Sequence, residues 1–317
     1  MNNVDQKANI MKRLWDKDSS KPVSIKKFCR LLRQNGLSHT QGYFHYTTLG
    51  RLKKMLAGED VGEKGKKRLL FLSASSTMND TEETKPGVYL ASFSYGKEEE
   101  VAMWTNYGVP KREAVRIRFP MAAMTQWEKA NKSDKIVIYV REDDDENKPF
   151  HVLDAKPAEI YFADVAYYGR NDPSDKAHRD GVRYRGKGLG FKEDKWRSQI
   201  KKTNDALLFK KRGWAYEHEV RLIVRFNDVT ITERHKTIAL PFDSLYDAML
   251  ADTHTNVMTG PWYDERKSQF TDIAEIRNPS RSSFEGELRM RSNCDRCELR
   301  KNGKECNCPN AEWWLWK

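Results

Sequence analysis

Two glutamates separated by one residue, Glu217 and Glu219, are the side chains in this sequence best placed for acid–base or electrostatic chemistry. They lie in residues 214–224, where the spacing of the apolar residues predicts a strand. The two-residue period of a strand places both carboxylates on one face with Arg221, about 7 Å apart. Burying two carboxylates and an arginine is costly. The group is therefore either a structural ion-pair ladder or a site that stabilises a cationic transition state.

A histidine near the end of an aromatic-rich strand is the second candidate. Residues 43–49 place His45 just before Thr47, a residue type that begins helices, and an amphipathic segment follows through Leu56. His45 is thus expected at a strand-to-helix corner, where a side chain can face a cleft. The alternative is a hydrogen-bonded structural histidine.

A polar loop and a cysteine cluster complete the candidate groups. The loop contains Asn79, Asp80 and Glu83, which either line a cleft or cap a helix. Four of the five cysteines fall close together near the end of the sequence: Cys294, Cys297, Cys306 and Cys308. In a reducing compartment four thiolates favour tetrahedral zinc, so a small structural zinc knuckle is predicted. The alternative is a redox or chance cluster.

The charge of the chain is positive and unevenly distributed. The formal net charge is +11, and residues 1–70 contain 16 Lys or Arg against 6 Asp or Glu. A second basic stretch, residues 183–212, contains 11 positive and 3 negative residues. Such charge attracts polyanions and favours nucleic acid as a partner or substrate; the alternative is a set of solvated helix faces. No long apolar run or signal sequence is evident, so a cytoplasmic protein without membrane contact is expected.

The pattern of apolar residues predicts an α+β scaffold for these groups. A basic amphipathic helix is expected over residues 23–37, with Gly36 at its C-terminal cap. A buried strand is expected at residues 88–94 and a helix over residues 98–107. Further strands are expected at residues 69–72, 114–119 and 135–140, and within residues 160–168.

The chain is divided into three predicted regions. Residues 1–40 form a basic helical arm, residues 41–285 the main domain, and residues 286–317 the zinc knuckle with a Trp-rich tail. Within the main domain, residues 170–195 are expected to form a long loop, and residues 196–211 a basic helix.

Three distant segments resemble the diphtheria-toxin and poly-ADP-ribose polymerase type of ADP-ribosyltransferase. Residues 44–47 resemble its His-Gly-Thr strand, with Tyr46 in place of the glycine. Residues 87–91, Gly-Val-Tyr-Leu-Ala, resemble its Gly-Ile-Tyr-Phe-Ala strand, and Tyr107 stands where its second tyrosine is expected. Glu217-x-Glu219 is similar to its late strand, which supplies the catalytic glutamate.

A closer resemblance, over residues 43–284, is to a widespread bacterial family of unknown function. That family has a Tyr-His-Tyr-Thr start, a Phe-Asn-Asp-Pro-x-Glu loop, a Ser-Phe-Ser strand, a Trp-x-x-Tyr helix and a late Trp-x-x-Glu-x-Glu-x-Arg strand. The matching segments here are residues 44–47, 78–83, 92–94, 104–107 and 214–221. Met78 replaces the phenylalanine of the loop and Thr81 its proline.

The resemblance implies a split, mostly antiparallel sheet around an NAD cleft. It implies that Glu219 stabilises the ribose cation through the 2'-hydroxyl, that Glu217 orients or deprotonates the acceptor, and that His45 holds the adenosine-side ribose or a phosphate. Tyr89 and Tyr107 would stack on nicotinamide. The other expected NAD-binding residues are Tyr46, Thr47, Asn79 and Arg221. This hypothesis requires His45, Tyr89 and Glu219 to converge on one cleft.

The sequence therefore predicts a mono-ADP-ribosyltransferase, acting as a toxin or phage-defence effector on nucleic acid or on a nucleic-acid-bound protein. A silencing partner or antitoxin is possible for such an enzyme. Two other classes stay open. One is a non-catalytic nucleic-acid-binding protein. The other is an enzyme of a different kind, either a NAD glycohydrolase or a nuclease that uses Asp80, Glu83, Glu217 and Glu219 around Mg²⁺.

Overall fold

Helices and strands alternate irregularly along the chain. The computed structural model describes residues 25–39, 42–62, 65–77, 84–95, 99–108, 110–132, 134–145, 148–168, 204–251, 256–263, 276, 279–283, 288–292 and 312–316. The helices in these ranges are α1 (Ile25–Asn35), α2 (Leu49–Ala57), α3 (Val101–Tyr107), α4 (Met121–Ala130), α5 (Ile231–Arg234) and α6 (Asp243–Leu250). The strands are β1 (Tyr43–Thr48), β2 (Glu59–Asp60), β3 (Lys66–Lys67), β4 (Leu69–Ala74), β5 (Val88–Ser94), β6 (Ala114–Phe119), β7 (Tyr139–Arg141), β8 (Phe150–Val152), β9 (Glu159–Asp164), β10 (Ala166–Tyr168), β11 (Phe209–Lys211), β12 (Glu219–Arg225), β13 (Thr237–Pro241), β14 (Val257–Thr259), β15 (Ser280–Arg281), β16 (Leu288–Ser292) and β17 (Glu312–Trp316).

Eleven of the described strands form one open sheet. Its main path runs β15-β14-β6-β1-β5-β4-β13-β7-β8, and β12 joins β5 and carries β9 on its other side. All pairs in this sheet are antiparallel except β14 with β15. The predicted α+β class with a mostly antiparallel sheet is confirmed.

The sheet forks at β5. Strand β12 pairs with β5 over its whole length, from Val88 to Ser94. Strands β1 and β4 therefore share the other edge of β5: β1 pairs at Ser94, and β4 pairs at Tyr89 and Leu90. Between these two contacts, β1 and β4 diverge, and residues 91–93 of β5 lie at the base of the gap.

The main core packs against the sheet through large side chains that are almost completely buried. Its aromatic members include Phe93, Phe119, Trp127, Phe162 and Phe242. Helix α1 covers β9, where Gly36 approaches closely: a Cβ on this glycine would lie 2.5 Å from the carbonyl carbon of Phe162. The predicted basic helix therefore packs against β9 at its terminal glycine. Helix α1 is part of the packed body of the protein.

Two local predictions were wrong. The described end of the expected helix 196–211 contains a 3₁₀ turn, Asn204–Leu208, and strand β11, which pairs in parallel with β10. The late strand begins at Glu219, because residues Arg212–Glu217 form a 3₁₀ turn and His218 has a φ of 43°. Glu217 therefore precedes the strand that contains Glu219 and Arg221.

Near the end of the chain, β16 and β17 pair antiparallel with each other. The predicted arm before residue 25, the loop 170–195 and the four clustered cysteines lie outside the described residues. None of the helices that the structure describes is long and apolar enough to cross a membrane.

Candidate functional site

A cleft of about 400 Å³ opens at the fork of the sheet. Its size falls in the range of small-molecule sites. Of the side chains predicted from the sequence, it brings together His45, Tyr46, Thr47, Tyr107, Glu217 and Glu219. These residues come from β1, from α3, from the turn before β12 and from β12 itself, so segments far apart in the sequence meet here.

Glu219 is the most strongly held of these groups. Its side chain is 3 % exposed and accepts hydrogen bonds from Arg221 at both oxygens, 2.7 Å at Oε1 and 3.0 Å at Oε2. The hydroxyl of Ser92 also donates to Oε1, and Lys210 Nζ lies 3.1 Å from Oε2. Burial alone would favour the neutral acid, but the two cations outweigh it and lower the pKa of Glu219 to about 2. Glu219 is therefore an anion at neutral pH.

Glu217 faces a different environment. Its side chain is 2 % exposed, and Lys210 Nζ lies 2.6 Å from its Oε2. The hydroxyl of Tyr107 donates a hydrogen bond to its Oε1. Burial first, and then the negative charge of Glu219, raise the pKa of Glu217. The two carboxyl groups thus have pKa values shifted in opposite directions, which is the usual mark of a division between an anionic group and a proton carrier.

Lys210 and Ser92 are members of the site that the sequence analysis missed. Lys210, from β11, is 7 % exposed and bridges the two glutamates, while its ammonium group lies 5.2 Å from the ring centre of Trp214. The sequence pattern predicts Lys210 within a basic helix. Only the apolar residues 206–209 before it indicate that its side chain is buried. Ser92 was noted only as part of a strand motif.

Arg221 does not line the cleft. It is 1 % exposed, and besides its contacts with Glu219 it donates from Nη1 to the carbonyl oxygen of Leu207 at 2.6 Å. Arg221 is thus not placed to contact a ligand in this cleft. Its contacts hold Glu219, as the alternative of a structural ion-pair ladder predicts.

Tyr89 was assigned to the cleft and is not there. Its side chain is completely buried, and its hydroxyl donates to the carbonyl oxygens of Ile231 at 3.1 Å and His235 at 2.6 Å. The physical reason is that β4 pairs with β5 at Tyr89, so the fork is already closed at this point and the segment 231–235 covers the ring. His45 and Glu219 share the cleft, but the expected third member does not.

His45 is held by a hydrogen-bond contact at the gap between β1 and β4. Its Nδ1 lies 3.1 Å from the carbonyl oxygen of Ser92, the residue between the β1 and β4 pairings. Burial, together with the positive charge of Arg51, lowers the pKa of His45, and the Ser92 carbonyl opposes the shift only in part. His45 is therefore neutral at pH 7 and acts as a hydrogen-bonding group.

Tyr46 and Thr47 follow His45 on β1. The ring of Tyr46 packs edge-on against Trp104, with centres 4.8 Å apart, and its hydroxyl accepts from Arg116 at 3.4 Å. Thr47 does not begin the following helix: Thr48 does, because β1 continues through Thr48 and this side chain caps the amide of Arg51.

The remaining predicted groups lie outside the described residues: Asn79, Asp80 and Glu83, and the cysteines Cys294, Cys297, Cys306 and Cys308. In the ranges that the structure does describe, no three His, Cys, Asp or Glu side chains gather as a metal site. The structure therefore leaves both the zinc knuckle and the Mg²⁺ arrangement as predictions.

The other end of the cleft carries cationic and aromatic side chains. It is lined by Arg51, Lys54, Phe71, Arg141 and Phe150, together with the acidic residues Glu59 and Asp144. The cleft thus contains a pair of buried carboxyl groups, several apolar side chains and three cationic side chains. Comparison of the chain with models of protein families, with curated proteins and with solved structures gives no significant match, so its chemistry has to be inferred from these side chains.

Proposed function

We propose that this chain is an NAD-dependent ADP-ribosyltransferase whose reaction takes place in the forked cleft. The observation that carries the proposal is the convergence of Glu219, Glu217, Tyr107 and His45 on one cavity from distant parts of the sequence. The strand of His45 and the strand of Glu219 both pair with β5, which agrees with the split sheet implied by the family resemblance. Tyr89 does not line the cleft, which departs from that resemblance. Of the two tyrosines expected to stack on nicotinamide, only Tyr107 is placed to do so.

Glu219 has the charge that the reaction requires. Heterolysis of the bond between nicotinamide and ribose C1' gives the bonding electron pair to the pyridinium nitrogen, so nicotinamide leaves neutral and positive charge develops on the ribose. An anion positioned against the ribose stabilises this state electrostatically. Glu219 stays ionised because Arg221 and Lys210 hold it, and the contact with the Ser92 hydroxyl marks the side from which a ribose hydroxyl would approach.

Glu217 is suited to proton transfer. A nucleophilic acceptor that attacks C1' must lose a proton, and a carboxylate whose pKa is raised above its ordinary value is a stronger base for taking it. Tyr107 and Lys210 fix the two oxygens of Glu217 and so set its direction. In this scheme Lys210 is a positioning residue, since it contacts both carboxyl groups.

Aromatic side chains other than Tyr89 supply the apolar walls. Phe44, Phe93 and Tyr107 line the cleft near the glutamates. A flat nicotinamide ring is stabilised by such surfaces, which also keep water from the ribose cation. His45, as a neutral donor or acceptor, would bind a ribose hydroxyl.

The acceptor that the charge distribution favours is a nucleic acid or a protein bound to one. The basic excess of the chain supports this choice, and the predicted zinc knuckle with its arginines would add a contact surface. A toxin or phage-defence role, with a silencing partner, is the biological setting that the bacterial resemblance favours.

The test is transfer of label. Purified protein is incubated with NAD labelled in the adenosine part and, in separate reactions, with total RNA, DNA or cell lysate, and the same series is run with Glu219→Gln. Label that enters one pool with the wild type alone would support the transferase and identify its class of acceptor. Release of free ADP-ribose without transfer would indicate a glycohydrolase. Intact NAD together with Mg²⁺-dependent cleavage of nucleic acid would replace the proposal with a nuclease.

A further inference from the structure

Three cationic side chains line the cleft in addition to the two glutamates. Arg51 and Lys54 come from α2, and Arg141 comes from β7. In the sheet, β7 is separated from β5 by β4 and β13, whereas the strand of Glu219 adjoins β5 directly. Four strand spacings, a path of about 19 Å along the sheet, therefore separate the strands of Arg141 and Glu219.

Arg141 is held by two contacts, and one of its donor atoms has no hydrogen-bond partner among the described residues. Its Nη2 donates to Glu59 Oε2 at 2.6 Å, and its guanidinium carbon lies 4.2 Å from the ring centre of Phe150. The side chain is 14 % exposed, and its Nε is buried without a hydrogen-bond partner in the described part of the chain. An unpartnered buried donor is costly, and a ligand oxygen would satisfy it.

Arg51 and Lys54 lie one helical turn apart on the exposed side of α2 and face the same cavity. The helix that carries them is anchored by the Thr48 cap and by the buried side chains of Leu52 and Met55. Two cationic groups on a fixed helix, next to an arginine fixed by stacking, provide a rigid set of donors suited to phosphate oxygens.

The acidic residues at this end do not cancel the charge. Glu59 is engaged by Arg141, and the carboxylate of Asp144 accepts from the backbone amides of Lys236 at 2.6 Å and Thr237 at 3.2 Å. Three cations against two carboxylates leave a net charge of 3 − 2 = +1 in this part of the cleft. A phosphorylated ligand would therefore be attracted here, whereas Lys210 and Arg221 balance the charges of Glu217 and Glu219.

We propose that Arg51, Lys54 and Arg141 form the subsite for the diphosphate of a dinucleotide, which fixes the direction in which the substrate lies in the cleft. The proposal rests on the proposed function for the identity of the dinucleotide. The nicotinamide-bearing ribose then points toward Glu219, and the adenosine part extends beyond α2. The same subsite is expected to bind simpler adenine nucleotides in the absence of any reaction.

The experiment measures binding by calorimetry, without catalysis, using ADP, AMP and adenosine as probes. The variants are Arg51→Gln combined with Lys54→Gln, which changes exposed side chains only, and Arg141→Gln with Arg141→Lys as its conservative partner. Arg234→Gln is the matched control, because it removes a charge at a 63 % exposed side chain outside the cleft. Thermal unfolding of each variant checks that the fold is kept.

We expect wild type to bind ADP more tightly than adenosine, with an affinity that falls as salt is added. The double variant and Arg141→Gln should each weaken ADP binding by about tenfold or more and leave adenosine binding unchanged, while Arg234→Gln has no effect. Equal ADP affinity in all folded variants, or no preference for ADP over adenosine, would overturn the subsite.

The outcome can be separated from that of the proposed function. If NAD is never cleaved but ADP binding depends on these cations, the subsite stands and the transferase fails. If NAD is cleaved with an unchanged KM in the cation variants, the transferase stands and the subsite fails.

Discussion

At the scale of single residues, the account depends on two carboxyl groups that share one lysine. Glu219 contacts Lys210 and a bidentate arginine, whereas Glu217 contacts Lys210 and a phenol. The first environment lowers the pKa of Glu219, and the second raises the pKa of Glu217 above its ordinary value. The pKa values of these two glutamates, which are so close in sequence, shift in opposite directions because their contacting side chains differ.

This asymmetry predicts different costs for two equivalent substitutions. Glu219→Gln leaves Arg221 and Lys210 without their anion, so we expect it to lower the free energy of unfolding at pH 7 by about 3–5 kcal/mol. Glu217→Gln removes a negative charge that burial and Glu219 already disfavour, so we expect a smaller loss. Urea denaturation of both variants measures the two values. Equal losses would show that the two environments are the same.

The pH dependence of stability follows from the same shifts. The pKa of Glu219 is lowered from 4.5 to about 2 on folding, so its contribution is complete above about pH 4.5 and is lost as the pH falls toward 2. The total is about 3 kcal/mol. The raised pKa of Glu217 has the opposite sign: its contribution is present below pH 4.5 and is lost as the pH rises through its folded value. Unfolding measured from pH 2 to 7 should show a shallower acid loss in Glu219→Gln than in wild type.

The two tyrosines offer a second residue-scale prediction. Tyr89→Phe should cost about 1–3 kcal/mol of stability, because the carbonyl oxygens of Ile231 and His235 lose their donor, and should leave NAD turnover nearly unchanged. Tyr107→Phe should reduce turnover by about tenfold or more, because Glu217 loses the hydroxyl that orients it. Turnover and thermal unfolding are measured for both. A larger loss of turnover in Tyr89→Phe would restore the role that the family resemblance assigned to it.

Part of the site could be predicted from the sequence, for definite reasons. The two-residue period correctly placed Glu219 and Arg221 on one face, since β12 is regular from Glu219 onward. The exclusion of Tyr89 could not be predicted, because it depends on where β4 meets β5, a contact between distant segments. Lys210 could not be assigned to the site for the same reason, since no local pattern distinguishes it from a solvated lysine.

At the scale of elements, the fork of β5 creates the site. One edge of β5 pairs along its whole length with β12, and the other is divided between β1 and β4, so an opening forms between β1 and β4. The strands themselves were largely predictable from apolar runs. Their pairing order was not, because runs of similar composition do not specify which neighbours they join.

Helix α1 supplies an element-scale prediction. Gly36→Ala places a Cβ 2.5 Å from the backbone of Phe162, so we expect a loss of about 1–3 kcal/mol and faster hydrogen exchange in Ile25–Asn35. Gly50→Ala in helix α2 is the matched control: the nearest atom to its Cβ, Glu113 Oε2, lies 3.8 Å away, and this change should stabilise by about 0.5–1 kcal/mol. Unchanged exchange in α1 after Gly36→Ala would show that this docking contact is weak.

At the scale of the whole molecule, a basic chain surrounds a cleft that contains two paired carboxyl groups and three cationic side chains from other elements. The net charge of +11 attracts polyanions over the whole surface, whereas the cleft distinguishes the two ends of a small ligand. The overall charge could be predicted from composition. The polarity of the cleft required the sheet order, which brings α2 and β7 to one end.

The cysteine cluster gives a whole-molecule prediction. Purified protein should contain one zinc ion per chain by elemental analysis, and Cys294→Ser with Cys297→Ser should remove it, because two thiolates cannot complete a tetrahedral site. The cleft variants should keep the metal. A metal content near zero in protein purified under reducing conditions, without chelator, would contradict the zinc knuckle.

The most direct test of the central claim is the release of nicotinamide from NAD by the purified wild-type chain, in the presence of cell lysate as a source of acceptors. We expect release by wild type and a loss of about 10²-fold or more in Glu219→Gln, with Arg234→Gln unchanged. Intact NAD with folded wild-type protein, or equal release by Glu219→Gln, would contradict the assignment of this cleft to NAD cleavage.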